Sequence, residues 1–369
     1  MTAPPIASSA SATDERVREV GALRKVLARP EFGALAGALL VFLIFGSAAG
    51  NSGMFSAEGV VNWATVAAFL GIIAVAAALL MIAGEFDLSI GSMIGFAGMM
   101  FAIPVLYWDW PPYIAVLFAF VAAGALGGVN GWLVVRTGLP SFIVTLAFYF
   151  ILRGLSLAIA VLLTGKTILS TQGDIVLREA IAADPLSAAL FQGHVLMGLF
   201  NQFASWGWMA ARDDGAALSI GVPKVIVWWF ALTALGAFVL AKTRTGNWIL
   251  ACGGDAVAAK NVGIPVARLK IKLFVFVALC AALFAVLQVA DAGSAAADRG
   301  LQKEFEAIIA AVIGGCLLTG GYGSIVGAAI GADRDESLQV LYGDEKKWED
   351  VLAAARTGSL FASRRAIVV

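Results

Sequence analysis

The chain has 369 residues, of which 60% are hydrophobic and 14% are charged, and its mean hydropathy is +0.90. Ordinary water-soluble domains of this length are far less apolar, so the composition predicts an integral membrane protein. The 25 basic and 25 acidic residues give a net charge of zero, which excludes the overall positive field of a nucleic-acid-binding protein.

The cysteines and the single histidine give no sign of a disulfide framework or a metal site. Cys252, Cys280 and Cys316 are isolated and lack C-x-x-C spacing, so we interpret them as packing residues. His194 has no cluster of Cys, Asp or Glu near it in the sequence, which favours a lone interfacial histidine over a metal ligand. We expect no cofactor.

The chain opens with a polar stretch, residues 1–32, that precedes the first apolar run. It lacks a small-residue cleavage site, so we expect a cytoplasmic leader rather than a cleaved signal peptide. A membrane-spanning helix needs about 20 mostly apolar residues. The sequence therefore predicts an all-α polytopic transmembrane helical bundle of about eight spans. The predicted spans are 33–50, 60–83, 90–107, 112–135, 141–164, 223–241, 272–290 and 305–331.

The basic residues between these spans indicate the orientation, because segments rich in Lys and Arg resist translocation. They concentrate before the first span, after the fourth, and in the loop 242–272, so we expect the N-terminus and that loop in the cytoplasm. The loop 165–222 is the longest on the opposite side and is poor in basic residues. Its aromatic stretch 190–210 is expected at the outer membrane interface, and a hidden ninth span there is the alternative.

Two carboxylates interrupt the apolar sequence in IAGEFDLSIGSMIG, residues 82–95. A charge at the bilayer centre costs at least ~2.5 kcal/mol, so Glu85 and Asp87 are expected at a helix end, in a wet cavity or against a protein partner. Irregular backbone at membrane depth is allowed only where protein shields it or where it borders a cavity. We favour a broken, re-entrant span here, and a plain cytoplasmic turn is the alternative.

The residues around the two carboxylates fit a break followed by a new helix. Gly84 and Gly91 permit a bend, and Asp87 and Ser89 are suitable N-cap residues for a helix that starts near residue 90. Three glycines at helical spacing would give this helix a smooth face for close packing: Gly91, Gly95 and Gly98.

Arg153 lies inside the fifth predicted span, about twelve residues after Ser141. An unpaired guanidinium is costly there, and the position is too deep for the side chain to reach an interface. One interpretation places Arg153 on the translocation path or in a polar lock, with Glu85, Asp87 or an outer-loop carboxylate as its partner. The other is a purely structural pair between helices.

Two glycine-containing stretches imitate nucleotide-binding loops without meeting their requirements. The glycines of 314–331 have no following Lys-Ser/Thr and no preceding soluble strand. In LLTGKT, residues 162–167, the glycine that a phosphate loop needs five positions before Gly165 is absent, because residue 160 is Ala. The sequence therefore encodes no ATPase machinery, and the glycines of 314–331 are expected to serve close helix packing.

Four stretches in order along the chain, GEFDLSIGSMIGFAG (84–98) and the stretches 138–157, 246–271 and 310–332, carry recognisable motifs. Together they resemble the permease subunits of bacterial ABC importers for monosaccharides, of the ribose, xylose and arabinose type. GEFDLSIGSMIGFAG (84–98) is similar to the family's G-[GE]-x-D-L-S-V-G-S, and GLPSFIVTLAFYFILRGLSL (138–157) to its P-S-F-I-V-T-L-x-x-x-x-x-R-G-L. GNWILACGGDAVAAKNVGIPVARLKI (246–271) and AAVIGGCLLTGGYGSIVGAAIGA (310–332) resemble two further family motifs. The resemblance covers residues 33–332, which we take as the permease domain.

The segment 242–272 contains DAVAAKNVG, which reads as a short helix with Asp255 near its start and Gly263 at its end. The resemblance implies that this is a coupling helix that fits a cleft on the ATPase subunit, and an inert basic loop is the alternative. The residues expected to couple to the ATPase are Gly253, Gly254, Asp255, Ala258, Ala259 and Gly263.

Residues 333–369 depart from the family, whose members continue into two more spans and have ten in all. This stretch carries seven acidic and six basic residues and cannot span a membrane. We expect an atypical soluble tail with an amphipathic helix, arising from a frameshift, truncation or fusion, or else a genuine cytoplasmic variant.

The resemblance implies a permease subunit of the bacterial inner membrane that forms the pathway for a monosaccharide, with no catalytic residues of its own. Its implied partners are a cytoplasmic ATP-binding subunit, a periplasmic sugar-binding protein, membrane lipid and a second permease copy, as a homodimer or a heterodimer. Nucleic acid is not expected. The alternatives are a permease for a nucleoside, an autoinducer or a branched-chain amino acid, and an inactive truncated or fused permease. A membrane-embedded enzyme and a passive channel fit less well.

Overall fold

The structure, a computed structural model, describes residues 30–48, 55–208 and 221–331. These ranges form fourteen helices and six two-residue strands. The helices are α1 (Pro30–Ala48), α2 (Ala57–Ile82), α3 (Ile90–Tyr107), α4 (Pro112–Thr137), α5 (Ser141–Thr164), α6 (Leu177–Ala183), α7 (Pro185–Phe191), α8 (Met197–Ser205), α9 (Lys224–Lys242), α10 (Arg244–Gly254), α11 (Ala256–Asn261), α12 (Val266–Ala292), α13 (Lys303–Ile313) and α14 (Ile325–Gly331). The strands are β1 (Ile168–Leu169), β2 (Thr171–Gln172), β3 (Ile175–Val176), β4 (His194–Val195), β5 (Val222–Pro223) and β6 (Ala295–Ala296).

Six helices of the described ranges are long and apolar enough to cross a membrane: α2, α3, α4, α5, α9 and α12. Each coincides with one of the predicted spans to within a few residues, so the all-α polytopic fold is confirmed. Helix α1 falls on the first predicted span, but its apolar part, Leu35–Ser47, is shorter than the other six.

The prediction of one continuous helix over 305–331 is wrong. The structure has two short helices there, α13 and α14, joined by a turn over residues 314–324. Three glycines in that turn, Gly315, Gly320 and Gly321, adopt positive φ angles, a conformation that side chains on other residues disfavour. The apolar composition suggested a span, but these glycines break the helix.

The centre of the bundle is formed by α2, α3 and α12, whose apolar windows are 83%, 94% and 78% buried. Helix α3 is apolar on all sides and is buried from Ile90 to Leu106, as expected for a helix surrounded by others. Helices α4, α5 and α9 lie outside them, with 28% or less of their windows buried. Their large exposed apolar side chains form the outer surface of the bundle.

The predicted outer loop 165–222 contains three short helices and strands β1 to β4, and β5 begins at its last residue. β1 pairs with β6 in antiparallel register, with Ile168 opposite Ala296, so the start of this loop is tied to the segment after α12. α8 has nine residues and is followed by the exposed Trp206 and Trp208. No helix long enough to span occurs in its described part, residues 165–208. Residues 1–29 of the leader, residues 209–220 and the tail 333–369 lie outside the described residues.

Candidate coupling and translocation site

The chain turns sharply at Gly84, directly after α2. Gly84 has a φ of +84°, and its position leads into an irregular linker, residues 83–89, before α3 begins. Glu85 and Asp87 in this linker are only 8% and 5% exposed. A shielded irregular segment between two membrane-spanning helices matches the predicted broken span better than a solvent-exposed turn.

The backbone of the linker is satisfied by side chains of α5. Phe86 N donates to Ser141 Oγ at 3.0 Å, and Leu88 N donates to Thr145 Oγ1 at 3.1 Å. Both acceptors lie in the first two turns of α5, within the sequence PSFIVTL. Two motifs that were identified separately in the sequence are therefore parts of one contact.

Asp87 organises the start of α3. Its Oδ1 accepts hydrogen bonds from Ser89 N at 2.8 Å and from Ser89 Oγ at 2.5 Å, and Asn130 Nδ2 of α4 donates to the same hydroxyl at 3.2 Å. Ser89 is the N-cap residue, but its side chain makes no capping hydrogen bond. The prediction that both residues cap the helix is therefore corrected. Asp87 accepts hydrogen bonds from Ser89, the residue directly before the first turn of α3.

Burial raises the pKa of the Asp87 carboxyl from 3.8 to about 6, because a charged carboxylate is poorly solvated in the linker's surroundings. The two hydrogen bonds from Ser89 lower the pKa and oppose this effect. The linker therefore holds a carboxyl group that titrates in the mildly acidic range.

Glu85 forms an ion pair with Lys270, in the first turns of α12. Arg153 pairs with neither Glu85 nor Asp87, so these two expected partners are corrected. Its Nη1 donates to Tyr149 Oη at 3.4 Å, one helical turn away, and its charge interacts with Glu304. The third expectation, an outer-loop carboxylate, agrees with Glu304, which lies between the seventh and eighth predicted spans. Glu304 is 1% exposed, and the sequence analysis missed it because the predicted eighth span began at 305.

Gly91 and Gly95 allow the segment after α12 to lie directly on α3. A Cβ atom at Gly91 would stand 2.3 Å from Gly300 O, and one at Gly95 would stand 2.6 Å from Ala297 O. Both distances are far below contact, so larger residues are excluded at these positions. The predicted smooth face is thus occupied, at Gly91 and Gly95, by backbone of residues 297–300.

The segment 242–272 contains the predicted short helix, α11. Asp255 is its N-cap, with Oδ1 accepting from Val257 N at 2.8 Å and Ala258 N at 2.9 Å, and Gly263 follows it with a φ of +89°. The two alanines differ, since Ala258 is exposed whereas Ala259 is 3% exposed and packs within the chain.

Two large apolar side chains of this segment are exposed beside the exposed Lys260: Val257 is 70% exposed and Val262 is 79% exposed. The sequence analysis assigned no role to these valines. Val257 on α11 and Val262 directly after it flank the exposed Ala258, so a protein that covered this surface would bury apolar area.

Three segments meet through glycines beside α11. Gly321 N donates to Ile82 O at 2.8 Å, and a Cβ atom at Gly253 would stand 1.8 Å from the same oxygen. A Cβ atom at Gly320 would stand 2.8 Å from Gly84 Cα. We call Gly84, Gly253, Gly320 and Gly321 the glycine junction. It joins the end of α10, the linker 83–89 and the turn 314–324 backbone to backbone.

Comparison with known proteins agrees with this architecture. Residues 59–333 match the family described as branched-chain amino acid transport system / permease component. The xylose transport system permease protein of Haemophilus influenzae is 31% identical over 321 residues, covering 80% of this chain and 84% of the relative. The corresponding xylose permease of Escherichia coli is 30% identical over 324 residues, covering 80% and 81%.

The ribose import permease protein of Escherichia coli is 30% identical over 262 residues, covering 71% of this chain and 70% of the relative. No solved structure gives a significant match. The family match covers well over half of the chain and includes the linker 83–89, the glycine junction and α11. The chain is a multi-pass membrane protein that belongs to the branched-chain amino acid transport system / permease component family of ABC transporters.

Proposed function

We propose that this chain is the permease subunit of an ATP-driven importer in the bacterial inner membrane and forms the pathway for a monosaccharide such as xylose or ribose. The proposal is based on the similarity to the xylose and ribose permeases. This similarity covers 80% of the chain for the xylose permease of Haemophilus influenzae and 71% for the ribose permease of Escherichia coli. The family description names branched-chain amino acids, whereas these relatives are named for sugars. A sugar is therefore the preferred solute.

A permease subunit needs a cytoplasmic helix through which the ATP-binding subunit can move it, and α11 has the features of such a helix. Helix α11 is capped at Asp255, presents Val257 and Val262 to the outside, and follows directly on the glycine junction. An ATP-binding subunit that closes around α11 would push on α10, and the junction would pass the displacement to the linker 83–89 without intervening side chains. Close-packed contacts of this kind transmit displacement because interiors have low compressibility.

ATP hydrolysis belongs to the separate ATP-binding subunit, and no bond of the sugar is made or broken. The coupling segment 242–272 would then face the cytoplasm, in accord with its basic residues. A periplasmic binding protein would deliver the sugar on the opposite side, where the loop 165–222 lies. A second copy of the chain would complete the pathway.

Uptake by the assembled importer tests this function. The chain, its ATP-binding subunit and its binding protein are reconstituted in liposomes, and ATP-dependent uptake of labelled xylose, ribose and leucine is measured. Uptake of a sugar that requires ATP and the binding protein is expected. Uptake of leucine without either sugar would assign the chain to amino acid transport instead.

A further inference from the structure

The chain folds back into the bundle after α12. Near the end of that helix, Val289 lies beside Gly98 of α3. The residues that follow approach earlier positions of α3, because Gly300 O and Glu304 Oε2 occupy the space where a Cβ atom of Gly91 would stand. Gly91 is seven residues before Gly98, about 10 Å along a helix. Residues 297–304 therefore run back into the bundle, to a level about 10 Å farther inside than Val289 near the end of α12.

Helix α13 starts at this inner position. It has 11 residues and is about 16 Å long, and it ends next to the turn 314–324 at the glycine junction. The apolar layer of a bilayer is about 30 Å thick, so α13 begins about half-way across. Arg153 lies at a similar depth, because it follows Ser141, which binds the linker, by twelve residues or about 18 Å.

Charge is concentrated at this depth. Five of the nine residues from 298 to 306 are charged. Arg153 lies about one turn before Ser156 of α5, whose Oγ donates to Ala297 O at 3.4 Å, and its charge interacts with Glu304. Glu304 is buried and its Oε2 has no hydrogen-bond partner among the described residues, whereas Lys303 pairs with Glu306. The charges of Arg153, Lys303, Glu304 and Glu306 sum to zero.

Part of this charged cluster reaches the surface of the bundle. The Lys303 side chain is 32% exposed, and Tyr149 and Arg153 are half-buried at the edge of the buried face of α5. A cation that faces lipid at half depth costs at least ~2.5 kcal/mol. The same cation facing a hydrated passage avoids that cost, so this side of the protein is suited to water and not to lipid.

We infer that Tyr149, Arg153, Lys303 and Glu306, here called the mid-depth patch, contact the sugar during its passage. This inference rests on the proposed function. Arg and Lys donate hydrogen bonds, a carboxylate accepts them and the Tyr hydroxyl does both, which matches the paired donors and acceptors of vicinal sugar hydroxyls. Counted together with Glu304, the charges of the patch sum to zero, which suits a neutral polyhydroxylated solute. Glu304, whose Oε2 lies beside Gly91 and whose charge interacts with Arg153, is a positioning residue.

Cysteine accessibility tests the patch. The three native cysteines are buried, so the reconstituted importer has a low background for a membrane-impermeant thiol reagent. Tyr149→Cys is compared with Phe150→Cys, because Phe150 is the next residue on α5 and is 63% exposed on the apolar surface. Tyr149→Cys is expected to react several-fold faster, and saturating transported sugar with ATP and binding protein is expected to change its rate. Reaction of Tyr149→Cys no faster than Phe150→Cys overturns the inference.

Transport kinetics test the role of Glu304. Glu304→Gln keeps the shape of the side chain but removes the charge that interacts with Arg153, so KM for the sugar is expected to rise several-fold. Arg153→Lys is expected to retain more transport than Arg153→Ala, because Lys preserves the charge. A Glu304→Gln variant with an unchanged KM contradicts the role of Glu304. Equal activity of the two Arg153 variants contradicts the role of Arg153. A wild-type importer that moves no sugar would instead refute the proposed function.

Discussion

Glu85 and Lys270 form an ion pair although they are 185 residues apart in the chain. The pair connects the linker 83–89 to the first turns of α12, just beyond α11. It borders a cavity of about 470 Å³ that also contacts Lys260 and Arg268. The segment that surrounds α11 is thus attached to the linker at two places, the glycine junction before α11 and this ion pair after it.

Removal of one partner of this pair is expected to destabilise the protein. The Lys270 and Glu85 side chains are 19% and 10% exposed, so Lys270→Met leaves a largely buried carboxylate without its partner, at a cost of up to about 3 kcal/mol. The melting temperature of the purified protein in detergent measures the effect. The double variant Glu85→Gln with Lys270→Met leaves no uncompensated charge and should recover most of the loss. A double variant as unstable as the single one would show that the charge is not the cause.

Asp87 variants test the hydrogen bonds at the start of α3. Asp87→Ala removes the acceptor of both Ser89 hydrogen bonds, at a cost of about 1 to 3 kcal/mol, and should impair transport more than expression. Asp87→Asn retains Oδ1 as an acceptor and should restore much of the activity. Since Arg153 donates to Tyr149 and its charge interacts with Glu304 instead, no charge pairing with Asp87 is expected. Equal damage by Asn and Ala would show that the charge of Asp87 is required.

The pKa of Asp87 predicts a pH dependence of stability. The folded-state pKa of about 6 lies above the ordinary 3.8, so the folded protein binds this proton more tightly than the unfolded chain does. The contribution of Asp87 to stability is therefore largest below pH 3.8 and is lost as the pH rises through 6. Between pH 5 and pH 7 the wild type should lose about 1 kcal/mol relative to Asp87→Asn. Melting temperatures of both proteins at the two pH values test this, and parallel shifts would contradict it.

The sequence predicted the six long helices because their apolar runs are long and bounded by glycine, proline or charged residues. It also predicted the break at Gly84 and the capped helix after Asp255, since both depend on local backbone preferences. The helix over 305–331 was predicted wrongly, because hydropathy does not detect a half-length helix that begins inside the bundle. The sequence does contain an indication that the helix begins inside the bundle. Five of the nine residues 298–306, directly before an apolar run, are charged, which is unusual at membrane depth.

The contacts between distant segments were not predictable from one sequence. Glycines 84, 253, 320 and 321 were all noted as motif residues, yet nothing in their spacing indicates that they meet. The same holds for Ser141 and Thr145, whose hydroxyls bind the linker backbone. Such pairings depend on how the long helices pack, and many packings bury the same apolar surface.

The exposed valines of α11 test attachment to the ATP-binding subunit. Val257→Glu with Val262→Glu places charges on the surface that the partner would cover, so co-purification of the ATP-binding subunit and transport should both be lost, while the melting temperature of the chain alone stays unchanged. Ala259 is unsuitable for this test, because it is buried within the chain. Leu196→Glu is the control, since Leu196 is 56% exposed and lies in the loop 165–222. Retained co-purification by the double valine variant would refute the docking role of α11.

Two adjacent glycines provide a matched test of the glycine junction. A Cβ atom at Gly253 would stand 1.8 Å from Ile82 O and 2.4 Å from Gly321 N, both backbone atoms, whereas one at Gly254 would meet nothing within 4 Å. Both residues are in the last turn of α10, so Ala at either position improves helix propensity equally, by up to about 1 kcal/mol. Any difference between the two variants therefore reports the junction.

Gly253→Ala must separate α10 from the end of α2 and from the turn 314–324, because the obstructing atoms are backbone and have no alternative rotamer. Overpacking of this kind costs about 1 to 3 kcal/mol, so the melting temperature should fall, whereas Gly254→Ala should melt at or above the wild-type temperature. If the junction transmits the movement of α11, Gly253→Ala should also retain ATP hydrolysis by the assembled importer while losing sugar uptake. Uptake is measured per ATP hydrolysed in liposomes, at a temperature where both variants remain folded. Equal uptake per ATP in the two variants would show that force reaches the linker by another route, with the Glu85–Lys270 pair as the remaining connection.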